Sequence, residues 1–551
     1  MSDFPFTLLM VAVPAAGAAV TGAMRHAPAK TVKTMALAFS LATFAIGVAL
    51  WIGFTPGAPG FQYVSTAQWI PTLGLNFSVG VDGVSLVMIA LIALLVPIVL
   101  GASWEEKLPP GRSIGSYFAL LLMLESLMIG VFAATDVFLF YVFFELMLIP
   151  MYFLIGAYGG PRRTYAATKF FLYSLFGGLM MLASVIGLYV VSRDHVPGGT
   201  LDWETLRGIA SQIPESTQMW IFAGFAIAFA IKAPLVPFHT WLPDAGAEAP
   251  VGSGTLIVGV LDKVGTFGFL RICLPLLPAA SSKLAWLIIT LAVIGIFYGG
   301  IVAAGQRDLK RFVTYTSIAH FGFIAMGVFA FSSQAMSGAV IYMVAHGLAT
   351  GLLFLVVGML TSRGNSRLIS DYGGVWKVAP ILGGMFLIGS LATIALPGTS
   401  SFVAEFLVLL GTFSTQPAWA IAATVGIVIA AVYMLWIFQR TMTGPIRGAG
   451  VLGSPADAAV AEGDFGVGSG SAGSGSSSVA LGHKTIFRTP TKFRFGDLNI
   501  REIAVLTPLV LLIVVIGVYP KPLLDVINPV SAQIIVDSGH SDPAPSIEGG
   551  K

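Results

Sequence analysis

A chain of 551 residues, 57.8 kDa, with 56% hydrophobic and only 10% charged side chains cannot face water on every side, because a soluble domain carries about 25% charged residues. A mean hydropathy of +0.88 excludes a cytosolic enzyme, a secreted disulfide scaffold and a disordered chain. The net charge of +3 is small against 29 basic residues, so nucleic acid is not an expected partner. A single cysteine, Cys273, can hold neither an iron–sulfur cluster nor an internal disulfide. The composition is that of an all-α polytopic membrane protein.

Runs of about 20 apolar residues predict about fourteen transmembrane helices, at 4–22, 34–54, 83–103, 116–134, 137–158, 168–191, 219–241, 251–275, 284–305, 311–331, 335–361, 378–413, 417–439 and 503–520. Ser2-Asp3-Phe4-Pro5 carries no positive charge, so the first run reads as an uncleaved span rather than a signal peptide. With the N-terminus outside, 21 of the 29 basic residues fall on the cytoplasmic face and six outside, leaving Lys232 and Lys263 within spans. That asymmetry predicts an outside N- and C-terminus and a cytoplasmic loop at 441–502. The loop has a Gly/Ser-rich centre at 463–478 that reads as a flexible linker.

The spans contain charges that lipid does not tolerate cheaply: Glu125, Glu145, Lys232, Asp262 beside Lys263, and Glu405. At about 2.5–3.5 kcal/mol each, their insertion costs on the order of 15 kcal/mol before compensation, so they must face one another or water. Ion pairs that hold helices together are one reading. A series spread over five helices favours another, because apolar packing stabilises a bundle more cheaply. Titratable neighbours whose charges are coupled form a route for proton transfer. His320 and His346 lie inside spans ten and eleven, and His239 at the cytoplasmic end of span seven. A neutral imidazole accepts at one nitrogen and donates from the other, so each can relay a proton. A buried ring satisfied by a carbonyl is the plain alternative, and a haem held between His320 and His346 a third.

Two spans carry helix breakers near a charge: Lys232-Ala-Pro-Leu-Val-Pro237 in span seven and Pro397-Gly398 before Glu405 in span twelve. Proline frees carbonyls that lipid cannot satisfy, so such breaks belong beside polar cavities. Their five-span spacing predicts two inverted five-helix repeats with broken helices 7 and 12. The expected domains are 1–115 for helices 1–3, 116–277 for the first repeat, 278–440 for the second, 441–502 for the loop, and 503–551 for the last helix and tail.

Phe144-Glu145-Leu-Met-Leu-Ile-Pro150 and Lys232-Ala-Pro-Leu-Val-Pro-Phe-His-Thr-Trp-Leu-Pro-Asp244-Ala-Gly-Ala-Glu248-Ala-Pro250 resemble the antiporter-like subunits of respiratory complex I, the proton-translocating NADH–quinone oxidoreductase. The acid in span twelve resembles the M type of bacterial subunit, whose sister types would show lysine there. The resemblance implies a translocase subunit with no redox chemistry and no cofactor of its own, FMN and iron–sulfur clusters lying in other subunits. It implies packing beside sister antiporter-like subunits in the membrane arm, in a bacterial inner membrane. By the same resemblance Glu145 and Lys232 form a coupled ion pair on the cytoplasmic side, and Lys263 is the central lysine. Glu405 is the outer group, His320 and His346 belong to a connecting water file, and Glu125 is a secondary acid. Gly246 departs from the more usual histidine, and Asp262 beside Lys263 is unusual, since helix neighbours do not face each other. A subunit of a multi-chain sodium/proton antiporter or of a membrane-bound hydrogenase shares the motifs and is the alternative.

Overall fold

The computed structural model of the chain describes residues 4–24, 26–453 and 495–543. Two helices, α1 (Phe6–Ala23) and α2 (Ala29–Gly53), precede an antiparallel hairpin of β1 (Gln62–Ile70) and β2 (Leu75–Val81), with Thr66 opposite Ser78. Then come α3 (Gly83–Ala102), α4 (Ile114–Ala133), α5 (Val137–Leu146), α6 (Leu148–Tyr158), α7 (Arg163–Ser192) and the short α8 (Trp203–Ile209). Next are α9 (Glu215–Lys232), α10 (Trp241–Glu248), α11 (Val251–Leu256), α12 (Lys263–Gly268), α13 (Leu274–Leu276), α14 (Pro278–Ala304) and α15 (Leu309–Val328). The chain ends with α16 (Ser333–Gly364), α17 (Pro380–Thr393), α18 (Ser400–Thr415), α19 (Pro417–Met442), α20 (Ala449–Leu452), α21 (Ile500–Val518) and α22 (Lys521–Asp537).

The fold is mostly helical, as expected; the two-stranded hairpin is an addition to it, and α22 lies where only a tail was expected. Among the described residues ten helices are long and apolar enough to cross a membrane, or eleven if Ile369–Lys377 and Pro380–Thr393, bent by 112°, form one span. The expected count of about fourteen is not reached on that measure. The four other runs are also helical, but each is broken or charged. α9 starts at Glu215 and ends at Lys232, and α15 carries Lys310 and Arg311 in its first turn. The run 251–276 alternates α-helix with wide π turns at 257–261 and 269–273, and the twelfth run is split into α17 and α18. The Gly/Ser-rich centre of the expected loop lies outside the described residues.

Local rules explain the element boundaries. Asp82, Asp136 and Asp308 each accept backbone N–H bonds at the start of α3, α5 and α15, which satisfies donors a helix start leaves orphaned. The breaks expected in spans seven and twelve are present. The first runs from Ala233 to Thr240, and the second, from Ile394 to Thr399, holds Ala395 at φ 54° and Gly398 at φ 93°. Asp497 caps the free start of α17 by accepting from Ile381 N (2.8 Å) and Leu382 N (2.9 Å). Arg363, at the end of α16, holds Glu502 of α21 through two N–O bonds of 2.5 and 3.1 Å. α16 is buried along its whole apolar length, so it is the axis on which the second half of the bundle packs. Arg271, one of the six basic residues counted outside, is buried and ion-paired with Asp82 at the hairpin end of the bundle.

Candidate functional site

The intramembrane charges meet around the irregular run 251–276. Lys263 is fully buried, and its Nζ donates to Val258 O (2.5 Å), Asp262 Oδ1 (2.9 Å) and His346 Nδ1 (2.7 Å). All three ammonium donors are therefore used. The contact with Asp262 corrects the expectation that the two neighbours point apart. The π turn at 257–261 widens the helix just before them, and the lysine stem curls back over that turn. Such turns are frequent at functional sites.

A charged lysine only donates, so His346 accepts at Nδ1 and carries its proton on Nε2. Nε2 lies 3.0 Å from Ser317 Oγ, which is 3.4 Å from Asp262 Oδ2 and closes a ring of four side chains. The ring of His320 on α15 stands 5.6 Å from that of His346, centroid to centroid, and its Nδ1 is 2.8 Å from the Tyr342 hydroxyl. Tyr342 and Tyr433 are buried and within electrostatic range of the Glu405 carboxylate on α18. The structure thus brings Lys263, His346, His320 and Glu405 into one row. Tyr342, Tyr433 and Ser317 are the polar groups that sequence reasoning did not place in it. Tyr342 and His346 are four apart on α16, and Ser317 and His320 three apart on α15, so each pair shares a helix face.

The ion pair expected between Glu145 and Lys232 is not formed. No carboxylate oxygen of Glu145 lies within 4.0 Å of Lys232 Nζ, and both Nζ and Glu145 Oε1 are buried without a partner. They remain within electrostatic range, and Lys232 is also in range of Asp262. Lys232 Nζ sits 4.9 Å from the ring centroid of Phe144 and 5.6 Å from that of Phe170, a cation–π placement that partly offsets its desolvation. Glu145 rests on Gly178 of α7, where an added Cβ would stand 1.7 Å from Oε1. Gly178→Ala is therefore expected to push the carboxylate aside. Since about 1 Å of misplacement can cost up to ~100-fold, turnover of the assembled protein should fall about tenfold. Gly178→Ala turnover at wild-type rates would show that the position of Glu145 does not matter.

Glu125 lies apart from this row. It accepts from Ser40 Oγ of α2 (3.0 Å), and its other oxygen is buried without a partner. His239 sits in the break between α9 and α10, edge-on to Tyr298 (4.9 Å), with neither ring nitrogen partnered. Beside it, Asp244 takes Lys169 at 2.7 Å and Arg311 at 2.6 Å. Glu248 takes Arg367 at 3.1 Å and Arg162 at 3.7 Å. These motif carboxylates tie α10 to α7 and α15 at the end of the bundle away from the hairpin. At Gly246 a Cβ would meet Thr314 Cγ2 at 2.4 Å, so a histidine does not fit there while Thr314 keeps its place.

Among the described residues no group of three or more His, Cys, Asp or Glu is placed to hold a metal ion. Broken helices beside a buried file of lysine, histidine, tyrosine and glutamate define the class: an antiporter-like membrane subunit. The family described as "NADH:quinone oxidoreductase/Mrp antiporter, TM" matches residues 134–430. The chain is 42% identical to NADH-quinone oxidoreductase subunit M of Mycobacterium tuberculosis, covering 99% of this chain and 97% of that protein. It is 35% identical to subunit M of Rhodobacter capsulatus over 97% of this chain and 96% of that one. A chain of respiratory complex I from Thermus thermophilus superposes with a TM-score of 0.80 at 30% identity, covering 97% of this chain and all of that one. The Mrp complex from Dietzia sp. DQ12-45-1b shares the fold, with a TM-score of 0.78 at 20% identity over 96% of this chain and 97% of that chain. This chain belongs to the subunit M family of NADH-quinone oxidoreductase.

Proposed function

We propose that this chain moves protons across a bacterial inner membrane as part of complex I, beside sister antiporter-like subunits, while electrons pass from NADH to quinone elsewhere. The observation that carries this reading is the buried row from Lys263 through His346, His320 and Tyr342 to Glu405. The chain itself supplies no redox group; FMN and iron–sulfur clusters belong to other subunits. The N- and C-termini face outside, and the Lys169–Asp244–Arg311 cluster marks the cytoplasmic entrance. The fourteen helical runs form two inverted five-helix repeats, helices 4–8 and 9–13, with Lys232 and Glu405 serving opposite half-channels.

In the arrangement described, Glu145 stands away from Lys232 while Lys263 is held by Asp262 and His346. Closure of Glu145 on Lys232 would draw a proton in past His239, since an opposite charge favours the ammonium. Separation would release that proton towards Lys263, with Asp262 as the shared counter-charge. Lys263 then passes a proton to His346 Nδ1, as His346 gives up the one on Nε2. The gap between the two histidine rings is crossed through Ser317 or a water, and Tyr342 hands the proton to Glu405 for release outside. Glu125 serves a secondary role on the α2 side.

Lys263→Ala tests the reading through proton pumping and NADH–quinone turnover in membranes, with assembly checked on a native gel. An assembled complex in which both fall by at least about tenfold, about 1.4 kcal/mol of barrier, supports a coupled proton path. Normal pumping in that complex would make the lysine structural.

A further inference from the structure

At the end of the bundle away from the hairpin, a groove of about 420 Å³ runs between α2, α3 and α21. Its walls are apolar: Leu37 and Leu41 from α2, Pro97 and Ile98 from α3, and Val505 from α21. Gly101 forms the floor, where a Cβ would stand 2.9 Å from Val505 Cγ2, so glycine lets α21 close the far side.

Its mouth is charged. Arg501 lines it, Nη2 bonding Glu105 Oε2 at 2.8 Å, while Nε and Nη1 are buried with no partner among the described residues. Lys33 stands beside it, within electrostatic range of Arg501; its Nζ donates to Trp104 O and lies 5.9 Å from the Trp104 ring. Two donors of the ammonium remain free. Of the acids in range of Arg501, Glu502 is already taken by Arg363, and Glu105 is 71% exposed, so water screens most of its charge. The mouth therefore keeps a net positive charge directly over an apolar slot.

We propose that this groove binds one anionic phospholipid of the cytoplasmic leaflet. Its phosphodiester accepts from the two free donors of Lys33 and lies against the positive charge of Arg501. One acyl chain lies along Leu37, Leu41 and Ile98. Basic residues near a bilayer surface attract anionic headgroups.

The test uses the whole complex, purified in mild detergent, with its retained phospholipids counted per complex by headgroup in mass spectrometry. The wild type should keep one phosphatidylglycerol more than a Lys33→Ala/Arg501→Ala double variant. Leu41→Trp, which fills the slot and leaves the cations in place, should lose the same molecule and decides the matter if the double variant does not assemble. Millimolar glycerol 1-phosphate, a headgroup without chains, should not displace the lipid. Equal phosphatidylglycerol in wild type and either assembled variant overturns the proposal. So does displacement by glycerol 1-phosphate, or the loss of phosphatidylcholine instead of phosphatidylglycerol.

Discussion

Complexes carrying Asp262→Asn are expected to assemble and to lose at least nine-tenths of their NADH–quinone turnover, roughly the tenfold that 1.4 kcal/mol supplies. Asp262 is fully buried, 2.9 Å from Lys263 Nζ and 3.4 Å from Ser317 Oγ, and within electrostatic range of Lys232. With Glu145 more than 4.0 Å from Lys232, this is the one carboxylate among the described residues within 4.0 Å of Lys232 or Lys263. Asparagine keeps the shape and removes the charge. Removing one partner of a buried pair costs about 3–5 kcal/mol, because the other charge is left uncompensated. The ammonium of Lys263 is then left without its counter-charge, and proton hand-over along the row fails. NADH–quinone turnover and membrane acidification, measured together, check this; wild-type values of both would mean that Asp262 only packs.

Glu405→Gln should have an effect of similar size at the other end of the row. Glu405 is 5% exposed, and Tyr342 and Tyr433 are the groups with which it interacts electrostatically. No basic side chain lies within 4.0 Å of it among the described residues, so it is not held there as half of an ion pair. Glutamine preserves the packing of α18 and cannot take up a proton. The expected result is an assembled complex whose turnover and pumping fall together by about tenfold or more, with Glu405→Asp retaining part of both. Glu405→Gln vesicles that acidify at the wild-type rate would place the outward exit elsewhere.

Much of this arrangement is legible in the residues. Lys232, Lys263 and Glu405 announce themselves because lipid penalises each of them, and the prolines beside Lys232 and before Glu405 mark the breaks that the structure contains. Lys263 with His346, and His320 in the same row, follow from the same logic. Other features were hidden for physical reasons. A search for apolar runs of span length passes over the hairpin, although Leu75-Asn-Phe-Ser-Val alternates with the two-residue period of a strand. It passes over α22 as well, whose buried Val526, Ile527, Ile534 and Ile535 form one helical face. The Asp262–Lys263 contact depends on a π turn, which the rule for regular helices cannot anticipate. Whether Glu145 touches Lys232 depends on two side-chain conformations that the residue types do not fix. Gly178 and Gly246 become informative only when their neighbours, Glu145 and Thr314, are seen.

The central claim is that Lys263 must release its proton, not merely carry a charge. Arginine keeps the positive charge and can still pair with Asp262, but it does not deprotonate in proteins. The decisive measurement is therefore proton movement per NADH oxidised in proteoliposomes containing the intact complex with Lys263→Arg. Collapse of both turnover and acidification in an assembled complex is the predicted result. Acidification and turnover at wild-type levels would show that the charge alone suffices, and would contradict the proton path proposed for this chain.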